Sequence, residues 1–163
     1  MLKERFQELE TLLCEETKSF YGSRLVSLVV YGSAGRGTQR HDSDIDILVV
    51  ADGLPQGRMN RNREFEAVEK KLEPALLSLQ GEGIRTRISP VIKTAAEAAG
   101  GSPLFLDMVE DARILVDRNG FFARVLDLLR SKLESLGAKR VWKGSAWYWD
   151  LKPDYRPGDV IEL

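Results

Sequence analysis

The sequence has little of several residue types, and each scarcity excludes a kind of protein. Cys14 is the single cysteine, so no disulfide can form within the chain and no cysteine cluster can bind zinc. His41 is the single histidine, which excludes histidine-rich metal sites and argues against a Ser-His-Asp site. The formal net charge is −1, so the chain has no overall positive charge that would attract nucleic acid. The charge therefore gives no support to a protein that coats nucleic acid, although local positive patches remain possible.

Long apolar segments are also absent. No apolar run approaches the length that crosses a membrane. Residues 1–13 carry charges throughout and lack the apolar centre of a signal peptide. We therefore expect a cytoplasmic protein with no membrane partner. A length of 163 residues, with 43% hydrophobic and 30% charged residues, suits an ordinary globule, and we expect residues 1–163 to form one domain.

The most informative stretch consists of two apolar runs joined by a glycine-containing loop. Residues 25–31 and 45–51 are typical of buried strands. Gly32-Ser33 follows the first strand directly. Small residues after a strand expose backbone N–H groups, and a helix that begins there presents the positive end of its dipole. The turn therefore favours binding of a phosphate group.

Two aspartates, Asp44 and Asp46, lie at the beginning of the second strand. Side chains alternate between the faces of a strand, so both carboxylates share one face while Ile45 points into the core. Two carboxylates on one face disfavour joint ionisation, and a cation offsets their charge. Oxygen ligands on this short spacing suit Mg²⁺. The loop and the aspartates together predict a site for a nucleoside triphosphate (NTP) and Mg²⁺.

The spacing of these residues resembles a known signature. Gly32-Ser33, ten intervening residues and Asp44-x-Asp46 resemble the G-S-x(10)-D-x-D motif of the polymerase-beta-like nucleotidyltransferases. The small chain is similar to the minimal nucleotidyltransferases of that superfamily, and its strand pattern extends the resemblance over residues 25–117. The resemblance implies transfer of a nucleoside monophosphate (NMP) from an NTP, with ATP as the expected donor. The alternative is a polar loop whose aspartates cap a turn.

The resemblance also implies roles for particular residues. Asp44 and Asp46 would be catalytic and would hold Mg²⁺ or Mn²⁺. The triphosphate would lie against Gly32 and Ser33. From the residues themselves, Arg36 and Arg40 could clamp phosphate oxygens, although a solvated loop explains these arginines equally well.

Apolar periodicity and turn residues predict the remaining elements. The expected fold class is α/β, a mixed sheet of four to five strands flanked by helices, nucleotidyltransferase-like, with the site at one sheet edge. Pro74 lies inside one predicted helix and should kink it or begin a new one. Helices are predicted over residues 2–20, 59–80, 103–110 and 121–136, and further strands over residues 84–92 and 114–116.

Residues 137–163 differ from the rest of the chain because they hold all three tryptophans. Strand-like runs separated by turns predict a hairpin or a C-terminal aromatic arm that packs on the domain or on a partner. The alternative is that the rings stack on a nucleotide base or on RNA bases.

A cluster of arginines crowds the start of the helix predicted over 59–80. Positive charge there opposes the helix dipole, which suggests an anionic partner such as RNA or a phosphate tail. The alternatives are that the helix begins later, or that salt bridges to Glu64 and Glu66 balance the charge. The cluster consists of Arg58, Arg61 and Arg63.

The third strand departs from the pattern of the family. The resemblance implies a third carboxylate there, which helps to hold the metal and can activate the attacking hydroxyl. This chain instead offers Arg85, Arg87 and Ser89 on the site-facing side. Glu82 and Glu97 are nearby acids that could turn towards the site. The departure leaves nucleotide and metal binding intact but puts turnover in doubt.

Two functions from different classes remain open. The first is an enzyme that transfers an NMP to a hydroxyl and releases pyrophosphate. Its acceptor could be a HEPN-type partner toxin, as for related minimal nucleotidyltransferases that act as antitoxins, or a small molecule or an RNA end. The second is a weak or non-catalytic module that binds a nucleotide or such a partner and acts by occupancy. A separate partner or a homo-oligomer could complete the site.

Overall fold

The computed structural model describes all 163 residues as five α-helices and six strands, with short 3₁₀ segments between some of them. None of the helices has the length and apolar content needed to cross a membrane. The elements, in chain order, are α1 Leu2–Tyr21, β1 Leu25–Tyr31, α2 Gly32–Arg36, β2 Ile45–Ala51, α3 Arg58–Gly81, β3 Ile88–Lys93, α4 Ala95–Ala99, β4 Arg113–Asp117, α5 Phe121–Leu136, β5 Lys139–Lys143 and β6 Ala146–Asp150.

Four strands form one mixed sheet in the order β3-β2-β1-β4. β1 is antiparallel to both β2 and β4, whereas β2 and β3 are parallel and α3 makes the crossover between them. The predicted α/β class, with a mixed sheet flanked by helices, is therefore confirmed. In this register Asp46 lies between Tyr31 on one neighbouring strand and Ser89 on the other.

Helices cover both faces of the sheet. α1 and α3 pack on one face through residues such as Phe6 and Phe65, which are fully buried. α5 and the 3₁₀ segment Pro103–Asp107 pack on the other face, where Phe105 and Phe122 meet edge to face. All seven residues of β1 are buried. A strand covered on both faces reads as a continuous apolar run, which is why β1 was visible in the sequence.

Most predicted elements have the expected positions. The strands at 25–31 and 45–51 and the helix at 121–136 have the predicted bounds. α3 continues through Pro74 as one helix. The helix predicted over 103–110 is a shorter 3₁₀ segment, Pro103–Asp107, whose first turn is capped by Ser102. α4 was not predicted.

The third strand begins at Ile88, so its predicted start at residue 84 was wrong. The amide of Ile84 donates to the carbonyl of Leu79 at the end of α3, and the amide of Arg85 donates to the carbonyl of His41. These hydrogen bonds tie the residues before Ile88 to the helix end and to the loop before β2. The alternating pattern of residues 84–92 cannot reveal this difference in partners.

The C-terminal tryptophans lie in a separate two-stranded sheet. β5 and β6 pair in antiparallel register, with Arg140 opposite Trp149. The indole Nε1 of Trp149 donates to the carbonyl of Leu106 at 3.0 Å, which joins the hairpin to the 3₁₀ segment Pro103–Asp107. The assignment of residues 1–163 to one domain stays a prediction.

Arg61 explains part of the arginine cluster at the start of α3. Its guanidinium donates to both oxygens of Glu97, at 2.7 and 2.8 Å, and its Nε donates to the carbonyl of Pro55 at 2.9 Å. A longer hydrogen bond of 3.3 Å reaches the carbonyl of Ile92 in β3. Arg61 therefore joins the loop after β2 to β3 and α4. The anionic partner suggested by the sequence is, for Arg61, a carboxylate of the same chain.

We expect Glu97→Gln to destabilise the fold in a pH-dependent way. Hydrogen bonding with Arg61 lowers the pKa of Glu97 from 4.5 to about 2. Its ionised form therefore stabilises the fold above about pH 4.5, and this contribution is lost as the pH falls towards 2. The loss at pH 7 should be about 1 kcal/mol, because Glu97 is 43% exposed and solvent screens the pair.

The measurement is urea unfolding of wild type and variant between pH 7 and the acid limit of the fold. Arg61→Gln is the matched variant, and combining the two changes should cost less than the sum of the single effects. A difference between wild type and Glu97→Gln that stays constant over this pH range would contradict the expectation.

Candidate functional site

Gly32 and Asp46 are in close contact where β1 ends. Gly32 has a backbone φ of +67°, and a Cβ added to it would collide with Oδ2 of Asp46. The contact follows from the β1–β2 register, because Tyr31 lies opposite Asp46 and Gly32 is the next residue. Glycine alone adopts this φ without strain and has no Cβ that would enter the space of the Asp46 carboxylate. The backbone of the predicted phosphate loop thus lies directly against one of the predicted metal-binding carboxylates.

The two aspartates form a partly compensated pair. Burial raises the pKa of Asp46 above its usual range, and the negative charge of Asp44 raises it further. Hydrogen bonding with Ser89 and the positive charge of Arg36 act in the opposite direction. Asp44 pairs with Arg87 at 3.3 Å, but the Arg87 side chain is 84% exposed, so the pair is weak. Asp46 therefore lies where added positive charge is favourable.

The polar residues of the predicted phosphate loop differ in exposure and in their charged neighbours. Ser33 is the second residue of α2 and is partly buried, and Arg36 is the last residue of α2. Arg36 is near enough to Asp46 to affect its pKa and lies 3.8 Å from a carboxylate oxygen of Asp111. Arg40 is exposed and forms no ion pair. The structure therefore places Arg36 near Asp46, whereas Arg40 is an exposed residue of the loop between α2 and β2.

Two of the three residues predicted on the site-facing side lie by the aspartates, and only one of them is in β3; Arg85 precedes the strand, and its amide donates to the carbonyl of His41. Ser89 is opposite Asp46 in the parallel register, and Arg87 pairs with Asp44. The two acids that could have turned towards the site are engaged elsewhere, since Glu82 pairs with Arg5 and Glu97 pairs with Arg61.

The donor set fits a magnesium ion shared with a substrate. No group of three or more acidic, histidine or cysteine side chains that could hold a metal is present. Magnesium usually keeps several waters and takes one or two protein carboxylates together with phosphate oxygens of its substrate. Asp44 and Asp46 supply that number of ligands.

Sequence reasoning missed several ionisable groups around the aspartates. Burial raises the pKa of Tyr31 to about 12, with the negative charges of Asp46 and Asp107 adding to the rise. Burial also raises the pKa of Asp107, which the positive charges of Arg36 and Arg140 oppose. The sequence could have indicated Tyr31, because this residue directly precedes Gly32 of the predicted phosphate loop. Asp107 and Arg140 belong to no motif and come from distant parts of the sequence.

A comparison with protein-family models decides the family. The model described as "Nucleotidyltransferase domain" matches residues 10–97, more than half of the chain. The chain belongs to this nucleotidyltransferase family. The matched range contains the contact between Gly32 and Asp46 and the third strand, and it ends before the 3₁₀ segment and the C-terminal hairpin. The predicted resemblance is confirmed, and nucleotidyl transfer is the chemistry associated with the family.

Individual relatives are more distant. A protein of Methanocaldococcus jannaschii named "Putative protein adenylyltransferase" is 28% identical over 118 residues, which cover 71% of this chain and 75% of that protein. A crystal structure of a toxin–antitoxin with AMP-PNP shares 15% identity, covering 84% of this nucleotidyltransferase and 94% of that chain at a TM-score of 0.45. The toxin–antitoxin MntA-HepT shares 12% identity, with 78% and 92% coverage and a TM-score of 0.43. These two structural likenesses are too distant for a conclusion about this chain.

We expect Gly32→Ala to destabilise this nucleotidyltransferase through Asp46. Any L-residue at a positive φ costs about 1–2 kcal/mol, and at Gly32 the new methyl group must also displace the Asp46 carboxylate. Gly37 is the matched control, because it has a φ of +73° with no atom within 4 Å of an added Cβ. Gly32→Ala should therefore cost more than Gly37→Ala in thermal or urea unfolding. Adding Asp46→Ala should remove the excess, and equal costs for the two alanine variants would contradict the close contact.

Proposed function

We propose that this chain transfers an NMP from a magnesium-bound NTP to an acceptor hydroxyl and releases pyrophosphate, with ATP as the expected donor. The observation that carries the proposal is the contact between Gly32 and Asp46. It brings a backbone turn suited to phosphate against a carboxylate suited to a cation. Phosphoryl chemistry depends mainly on positioning and on charge stabilisation, and this contact supports both.

Each site residue has a proposed role. Asp44 and Asp46 would hold Mg²⁺, or Mn²⁺ in its place, whose positive charge supports the phosphate groups of the donor. The backbone around Gly32 and the Ser33 hydroxyl would bind triphosphate oxygens. Arg36 would add a positive charge beside the phosphates, because its present contact with Asp111 is only a loose one of 3.8 Å.

In the proposed step, the acceptor oxygen forms a bond to the α-phosphorus. The bond from that phosphorus to the oxygen that bridges to the β-phosphate breaks, and pyrophosphate leaves with the electron pair. The acceptor hydroxyl loses its proton to water or to a group of the partner. Ser89 occupies the position opposite Asp46 where a third acid was expected, and a hydroxyl is a poor base at neutral pH.

A protein hydroxyl is the proposed acceptor. The named activity of the M. jannaschii relative, protein adenylyl transfer, supports this choice over small molecules and RNA ends. The family resemblance further suggests a HEPN-type toxin as the partner. The net charge of −1 gives no support to an RNA acceptor.

The second candidate function is a module that binds a nucleotide or a partner without efficient turnover. The arrangement at the third strand favours this candidate, because Arg87 pairs with Asp44 and Ser89 faces Asp46. A cation and a hydroxyl at these positions weaken metal binding relative to an added carboxylate.

The deciding experiment is transfer of label from α-labelled NTPs. Purified protein is incubated with Mg²⁺ or Mn²⁺ and a candidate partner, and labelled protein is measured after electrophoresis. We expect label from ATP on the partner, lost in Asp44→Ala and kept in Asp42→Ala, an exposed aspartate of the same loop. Saturable Mg-ATP binding without transfer to protein, RNA or small molecules would favour the non-catalytic module. No binding of any NTP would remove both candidates.

We also expect Ser89→Asp to strengthen metal binding. The variant places a third carboxylate opposite Asp46, so Mn²⁺ affinity measured by electron paramagnetic resonance should rise roughly tenfold, the scale of one added charged ligand. Ser89→Asn is the control of similar size without charge. NMP transfer should rise with metal affinity. Loss of transfer in Ser89→Asp, from a wild type that is already fast, would mean that the missing acid comes from another part of the chain or from the partner.

A further inference from the structure

Arg140 is held tightly in the C-terminal hairpin. Its side chain is 11% exposed. Its guanidinium carbon lies 4.7 Å from the ring centre of Trp142 and 4.5 Å from that of Trp147, which are cation–π distances. Arg140 is opposite Trp149, whose indole is hydrogen-bonded to Leu106. The hairpin therefore presents a nearly buried positive charge beside the 3₁₀ segment Pro103–Asp107.

One carboxylate oxygen is shared by two arginines. Oδ2 of Asp111 lies 2.8 Å from Nη2 of Arg140 and 3.8 Å from Nη1 of Arg36. Asp111 is 17% exposed, so water screens its charge only weakly. Arg140 forms the closer ion pair with this oxygen, which has no hydrogen-bond partner, and Arg36 forms the looser one. Most of the charge of Asp111 is thus neutralised by Arg140.

The position of Asp111 between Arg140 and Arg36 affects which groups Arg36 can contact. Arg36 ends the short helix that begins at Gly32, and it lies near both Asp46 and Asp107. Without Arg140, Asp111 would keep an unneutralised and mostly buried negative charge beside Arg36. A buried unpaired carboxylate strongly favours a direct ion pair, so it would draw the Arg36 guanidinium towards itself and away from a phosphate.

We propose that Arg140 is a positioning residue for the triphosphate: by neutralising Asp111, it leaves Arg36 available to phosphate oxygens. The inference rests on the proposed function, because it assumes a triphosphate beside Gly32. Asp111 and Arg140 both lie outside residues 10–97, the range matched by the family model. The C-terminal hairpin thus acts on a site that it does not itself form.

Calorimetric titration with Mg-ATP and with Mg-tripolyphosphate tests the proposal. Arg140→Met keeps an apolar side chain between the tryptophans and removes the charge. We expect it to weaken both ligands roughly tenfold, the scale of one charged phosphate contact. Adding Asp111→Asn should restore affinity to within about twofold of wild type, because a neutral amide does not capture Arg36. Asp111→Asn alone should bind at least as tightly as wild type.

Two controls separate this effect from damage to the hairpin. Arg118→Met removes an arginine that pairs with Asp52 at 2.7 Å, beyond the opposite end of β2 from Asp46, and should leave affinity unchanged. All three tryptophans lie in the hairpin, so the unfolding transition of their fluorescence in urea shows whether the hairpin stays folded in Arg140→Met. A hairpin that merely unfolds in Arg140→Met would not regain affinity when Asp111→Asn is added.

The outcomes are distinguishable. Wild type that binds neither ligand overturns the proposed function and this inference together. Wild type that binds while Arg140→Met binds equally well overturns the inference alone. Failure of Asp111→Asn to restore affinity in the double variant, or weaker binding by Asp111→Asn alone, also overturns the inference.

Discussion

The close approach of β1 and β2 at Gly32 and Asp46 is the constraint on which the site depends. Antiparallel pairing sets Tyr31 opposite Asp46, so the chain that leaves β1 must turn directly over a carboxylate. A side chain at position 32 would close this space. The buried strands on both sides fix the register, because a shift by one residue would exchange the core-facing and site-facing side chains. The core therefore determines the geometry of the site.

The ion pairs around the aspartates differ in strength from those elsewhere in the fold. Asp44 and Asp46 lie together, and their compensation comes from loosely held arginines, Arg87 on one side and Arg36 on the other. Tightly held ion pairs, such as that of Arg61 with Glu97, join elements of the fold elsewhere. The difference in strength separates structural pairs from those that a ligand can replace, since an exposed pair contributes little free energy.

The third strand and the hairpin modify the family domain in opposite ways. Ser89 and Arg87, rather than a third carboxylate, lie next to the aspartates, which argues against fast turnover. The hairpin brings Arg140 to Asp111, which supports the charge balance around Arg36. Asp107 faces the same two arginines. The surroundings of the family motif are therefore built largely by residues outside it.

The sequence by itself determined the two central strands, the helix that begins at Phe121, the pair Asp44 and Asp46, and the family, because these depend on short-range spacing and apolar periodicity. It also predicted that Arg87 and Ser89 lie on the side of the aspartates, although Arg87 precedes β3 and the same alternation wrongly included Arg85 in the strand. Only the tertiary structure decided that Arg36 lies near Asp46, that Glu82 and Glu97 are engaged elsewhere, and that Arg140 and Arg36 share Asp111. Such contacts join residues far apart in the chain, and no local pattern encodes the partner that packing brings to a side chain.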